Sequence, residues 1–125
     1  MDIKTTALDI GYSAVLFDMA PNEVIIQDNF NDNVPTQVTG DWGGVLATTF
    51  GGRNAEVRFR NPGFLPLRLN FTLSVGCAGP GANSRSMTGT LDAQPNNTWV
   101  TVPLSCLNRA NALSSQVRAT GWAPF

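Results

Sequence analysis

The sequence predicts an all-β fold, an antiparallel β-sandwich or barrel, in one domain spanning residues 1–125. Three observations lead there. No window holds a sustained helical period of apolar residues. Several short runs alternate apolar and polar side chains, as half-buried strands do. Clusters of Gly, Pro and Asn separate those runs at regular spacing. With 125 residues the chain can bury one core and not two.

Taken in order, residues 1–10 offer little. Tyr12 to Phe17 and Glu23 to Ile26 read as short strands joined by a turn at Pro21 and Asn22. Asp28 to Asn33 is a polar loop whose Asx side chains can bond their own backbone. Val38 to Phe50 carries the Gly40-Asp41-Trp42-Gly43-Gly44 cluster and then a β-prone Val-Leu-Ala-Thr-Thr-Phe run. Gly51 and Gly52 turn the chain. Glu56 to Arg60 alternates, with Val57 and Phe59 on one side and Glu56, Arg58 and Arg60 on the other. Asn61-Pro62-Gly63 is a turn, and Leu67 to Val75 alternates again. Gly76 to Ser86 reads as a glycine-rich loop and Met87 to Leu91 as a short strand. Thr98 to Val102 forms a strand behind the Pro95-Asn96-Asn97 turn, and Pro103 should stop or bulge its pairing. Asn108 to Val117 reads as irregular or as one helical turn. There is no internal repeat.

Composition removes several functions. A net charge of −1 and eight Lys+Arg spread singly argue against nucleic acid, which needs a clustered basic face. No apolar run approaches membrane-spanning length, and no basic-then-apolar signal sequence opens the chain. The absence of histidine removes the commonest general base and most zinc sites. A pair of Asp or Glu residues is the machinery of a glycosidase, and such a pair needs something to mark it out. Nothing does, and most acids sit beside polar turns, so no catalysis and no cofactor are expected.

Asp28 and Asp32, with three nearby asparagines, crowd hard oxygen ligands as calcium loops do. The spacing is not that of an EF-hand, and the expectation is an Asx-rich loop or a structural calcium site. Cys77 and Cys106 each close a predicted strand, which suits a disulfide; two buried thiols are the alternative. A bridge implies an extracellular or periplasmic setting.

Three tryptophans remain. Trp42 follows Asp41 and precedes two glycines, and Trp122 lies between Gly121 and Ala123, so both have small, open surroundings suited to a surface. Trp99 begins a regular strand and suits core or surface. A sugar ring packs its C–H face on an aromatic plane and its hydroxyls on amides, carboxylates and guanidinium groups. Trp42, Trp122 and Trp99 are therefore candidate platforms, with Asp41, Arg58, Arg60, Gln94 and Asn96 as polar partners.

Leu69 to Val75, Gly76-Cys77 and Trp99-Val-Thr-Val-Pro-Leu-Ser-Cys106-Leu resemble the C-terminal galactose-binding-like domain of bacterial exo-β-glucanases and β-glucosidases of glycoside hydrolase family three. Ala110 to Val117 and Pro124-Phe125 extend the match, which covers the second half of the chain. The resemblance implies a jelly-roll sandwich attached to a plant-polysaccharide-degrading enzyme, a structural role for Trp99, and a further strand beyond Phe125. Together these readings lead to a non-catalytic carbohydrate-binding module for β-1,4- or mixed-linked β-glucan, including cello-oligosaccharides and xyloglucan. The rival expectation is a structural or oligomerisation domain of a larger glycoside hydrolase, without a sugar site of its own.

Overall fold

The computed structural model describes residues 4–9, 14–19, 23–79 and 83–124, with side chains from Glu23 onward except those of Asp41, Asn108, Gly121 and Trp122. The strands are β1 (Lys4–Asp9), β2 (Ala14–Met19), β3 (Glu23–Asp28), β4 (Thr36–Thr39), β5 (Val45–Gly51), β6 (Asn54–Asn61), β7 (Leu67–Cys77), β8 (Ser84–Ala93), β9 (Thr98–Ser105) and β10 (Ala112–Pro124). Single 3-10 turns sit at Asp41–Gly43 and Leu107–Arg109. Among the described residues these strands make two sheets, one of six in the order β2-β1-β3-β10-β7-β8 and one of four in the order β4-β5-β6-β9. Pairing is antiparallel except between β1 and β3. The expected all-β sandwich is what forms.

Period-two patterning sets which faces meet. Leu67, Leu69, Phe71, Leu73 and Val75 of β7 point inward, as do Val57 and Phe59 of β6, and all are sealed from water. They interdigitate with Val24, Ile26, Leu46, Phe50, Leu91 and Val117 to form one core. Thr48 and Ser115 also meet inside it, hydroxyl to hydroxyl at 3.1 Å, so each satisfies the other across the sandwich. The Cys77–Cys106 disulfide closes the lower end and ties the two sheets together across 29 residues. Its neighbours brace it: the Cys106 amide donates to the Arg53 carbonyl at 2.8 Å, and Arg53 Nη2 returns a bond to the Cys106 carbonyl at 2.7 Å.

Several boundaries differ from the sequence reading, each for a physical reason. The region from Asn108 onward, read as irregular, becomes the long strand β10 in the middle of the larger sheet, between β3 and β7. Lys4–Asp9, within a stretch that offered little to the sequence reading, form β1. The glycine-rich loop shrinks because β7 runs on to Cys77 and β8 begins at Ser84. Pro103 does not stop β9, which continues to Ser105. That strand lies at the sheet's edge, where a missing N–H is tolerated. Tyr12, Ser13, Pro21 and Asn22 lie outside the described residues.

The outer face of the four-stranded sheet

Directly opposed residues on neighbouring strands share a face. On the outside of the small sheet the register places Val45, Arg60 and Trp99 in one row and Ala47, Arg58 and Thr101 in the next. Two further rows follow, Thr49-Glu56-Pro103 and Gly51-Asn54-Ser105. Trp99 stands on the edge strand and is partly buried. Its ring lies 4.2 Å from the Arg58 guanidinium carbon and 4.9 Å from that of Arg60. Arg60 is its direct neighbour and Arg58 its diagonal one, both within reach of long side chains. The indole is a surface residue of the sheet, with guanidinium groups where a core tryptophan would have leucines.

Below this platform, on the same face, a cleft of about 330 Å³ is lined by Asn33, Thr49, Asn54, Glu56 and Pro103, with Phe50 beneath. Ser105 donates to Asn54 Oδ1 at 2.6 Å, which fixes one amide of the rim. Asn33 arrives from the β3–β4 loop, where its own amide donates to the Phe50 carbonyl at 3.3 Å. None of Asn33, Thr49, Asn54 and Pro103 was expected at a sugar site: Asn33 was read as part of the oxygen-rich loop and Pro103 as a strand breaker. The signal within reach was Glu56, which alternates with Arg58 and Arg60 and so had to share their face.

The other candidates go elsewhere. Trp42 occupies the 3-10 turn at the tip of the β4–β5 hairpin, 61% exposed, with φ of 64°. A bulky side chain held in the left-handed region is uncommon and costs on the order of 1–3 kcal/mol. At the same end of the molecule lie the exposed Phe64 (93%) and Leu65 (49%) of the β6–β7 loop. Gln94 and Asn96, both exposed, belong to the β8–β9 turn at that end. Asn96 and Asn97 both have positive φ there, and their amides bond the Gly63 and Asn61 carbonyls. The side chains of Asp41 and Trp122 lie outside the described residues. Arg58, Arg60 and Trp99 are thus brought together, while Trp42, Gln94 and Asn96 gather at one end.

Asp28 is fully buried and its Oδ1 accepts from the Phe30 amide at 3.1 Å. Asp32 is exposed and accepts from the Val34 amide at 3.0 Å. These are Asx turns that shape the β3–β4 loop. Among the described residues no three His, Cys, Asp or Glu side chains gather to hold a metal ion.

No family model matches the sequence, and no curated protein matches it. The likeness to glycoside hydrolase family three therefore stands on the quoted residues alone. Solved structures give distant likenesses. An RGD-containing host-selective toxin of Pyrenophora tritici-repentis matches at TM-score 0.37 and 7% identity, covering 73% of this chain and 85% of that one. A family 29 carbohydrate-binding module from Piromyces equi matches at TM-score 0.27 and 11% identity, covering 76% and 69%. A family 61 module in complex with β-1,4-galactotriose matches at TM-score 0.26 and 10% identity, covering 82% and 79%. Nothing about ligand or partner passes from these distant likenesses to this chain.

Proposed function

We propose that this chain is a non-catalytic carbohydrate-binding module whose binding face is the outer surface of the four-stranded sheet. The observation that carries the reading is the Trp99 indole at the sheet's edge, with two guanidinium groups against it and a polar cleft below. A pyranose needs those two things together, an aromatic plane for its C–H face and fixed polar groups for its hydroxyls. From Arg60 to Asn54 the strand rise gives a track of about 20 Å. A chain of several sugars can lie along it, so affinity should grow with oligosaccharide length until the track is filled.

In this reading the module does no chemistry of its own. Glu56 has no second carboxylate on its face among the described residues, and glycoside hydrolysis takes two. The finer expectations are β-1,4- or mixed-linked β-glucan as ligand, a larger glycoside hydrolase as host, and an extracellular or periplasmic location. The Cys77–Cys106 bridge supports the last, because such bonds persist in oxidising compartments.

The test is affinity electrophoresis against soluble polysaccharides, run on wild type and on Trp99→Ala, Trp42→Ala and Trp122→Ala. Trp99→Ala should abolish retardation with the fold intact. Loss through Trp42→Ala or Trp122→Ala, with Trp99→Ala silent, would move the site to the end of the sandwich. A second reading, a structural domain of a larger hydrolase, is favoured by the exposed Trp42, Phe64 and Leu65 clustered at that end. It gains if the folded protein is retarded by no polysaccharide.

A further inference from the structure

We infer that the sugar this face selects is acidic, a glycan bearing carboxylates or sulfate esters rather than a neutral glucan. The inference rests on the carbohydrate-binding reading, and it replaces the neutral β-glucan expected above with a charged ligand. It starts from how the protein treats four of its five other arginines; the fifth, Arg109, is exposed to water in the Leu107–Arg109 turn, with no side-chain partner among the described residues. Arg68 grips Asp92 with two bonds, Nε to Oδ1 at 2.8 Å and Nη2 to Oδ2 at 3.0 Å. Arg118 pairs with Glu23. Arg53 and Arg85 donate to the Cys106 and Ser105 carbonyls at 2.7 and 2.8 Å. Each of these four has an oxygen acceptor.

Arg58 and Arg60 do not. Among the described residues neither guanidinium forms an ion pair or hydrogen bond, and both lie against the Trp99 ring. Arg60 Nε is buried with no acceptor at all. A guanidinium stays charged at any working pH and offers its donors in a rigid fork. Two such forks side by side on one indole make a positive aromatic platform whose charge the protein leaves uncompensated. Glu56, the other charge on this face among the described residues, forms no ion pair with Arg58, and it sits toward the cleft, away from Trp99.

A neutral sugar laid here would displace water from two cations and return only weak hydroxyl acceptors, which is unfavourable for buried charge. An acidic pyranose meets both demands. Its ring stacks on the indole, and its planar carboxylate takes two donors of one fork in a charge-assisted pair. The Glu56 end of the track would repel a second acid, so acidic units belong at the Trp99 end and neutral hydroxyls at the cleft.

The experiment is calorimetric titration of the intact chain with five-sugar oligomers. Oligomers of β-1,4-glucuronan, polygalacturonate and alginate are each set beside their carboxyl-reduced neutral counterparts. Cellulose sulfate oligomers and polyglutamate complete the set. At least one acidic oligomer should bind about tenfold or more tighter than its neutral counterpart. Its affinity should fall several-fold from 20 mM to 500 mM salt as the charges are screened. Arg60→Gln should weaken that ligand about tenfold and Arg60→Lys less. A sulfated oligomer that matches the best uronate identifies sulfate as a second source of the same chemistry. If acid and neutral members of every pair bind equally, the acidic inference falls and the sugar site stands. If polyglutamate binds as tightly as any uronate, the face is a plain anion site and the acidic-sugar inference falls. If no oligomer binds to folded protein, both readings fall.

Discussion

Three side chains decide what the outer face of the small sheet can do, and each is there for a reason visible in its neighbours. Trp99 is held by Arg58 and Arg60, and such contacts contribute about 0.5–1 kcal/mol at exposed sites. Trp99→Ala loses two such contacts and some apolar burial, so it should cost about 1–3 kcal/mol in denaturant unfolding while removing the platform for a ligand. Asn61 does the opposite kind of work. It is fully buried at the end of β6, where its Nδ2 donates to the Leu65 and Ala93 carbonyls and its Oδ1 accepts from the Gly63 amide. Asn61→Ala should destabilise the fold by about 1–3 kcal/mol, because three backbone groups lose their partner. It should also loosen the end that carries Trp42. The sequence marked Trp99, Arg58 and Arg60 one by one. Their meeting was not legible, because it depends on the β6–β9 register, which pairs residues about forty apart. Asn61 passed as an ordinary turn residue, since its role comes from carbonyls distant in the chain.

Among the elements, β6 and β7 were legible because large apolar residues alternate with polar ones over their length. β10 was not. Its inward positions from Ser115 to Ala119 are Ser115, Val117 and Ala119, so only one large apolar residue marks a strand at the centre of a sheet. Small residues there fit tight quarters at its start, where a Cβ on Gly76 of β7 would stand 2.7 Å from Ser114 Oγ. β10 also changes register at Ala112/Ser114 and again at Thr120/Ala123, which breaks any period. The link between the ends of β7 and β9 was read more easily, from two cysteines that each close an apolar run. Cys106→Ser should lower stability by roughly 3–4 kcal/mol, measured by denaturant unfolding, since the bridge closes a loop of 29 residues. On the outside of β7 and β8, Arg68–Asp92, Asn70–Thr90 and Thr72–Thr88 pair in successive rows. The hydrogen bond from Arg68 holds the Asp92 carboxyl below the usual carboxylate range. A depressed folded-state value stabilises the fold above the unfolded value, near pH 4, and the effect is lost as pH falls through the folded value. The thermal midpoints of wild type and Asp92→Asn should therefore differ at pH 6 and converge in strong acid. The difference should be small, because the pair is solvated.

At the scale of the molecule, the two sheets present contrasting outer surfaces. Over β7 and β8 the rows of polar side chains satisfy one another and leave little for a ligand. Over β5, β6 and β9 an aromatic ring, two arginines without oxygen partners and a cleft lie on one face. The fold class was readable from period-two runs and turn residues. Which of two sheets would carry an open surface was not, because that depends on strand order and on which polar groups find partners. The most direct check is amide and indole chemical-shift mapping by NMR during titration with an acidic oligosaccharide and its neutral counterpart. The expected result is a set of shifts confined to the outward positions of β5, β6 and β9, with the Trp99 indole N–H and the Arg58 and Arg60 amides moving most. Shifts centred on Trp42 and Phe64, or on the β7–β8 rows, would contradict it.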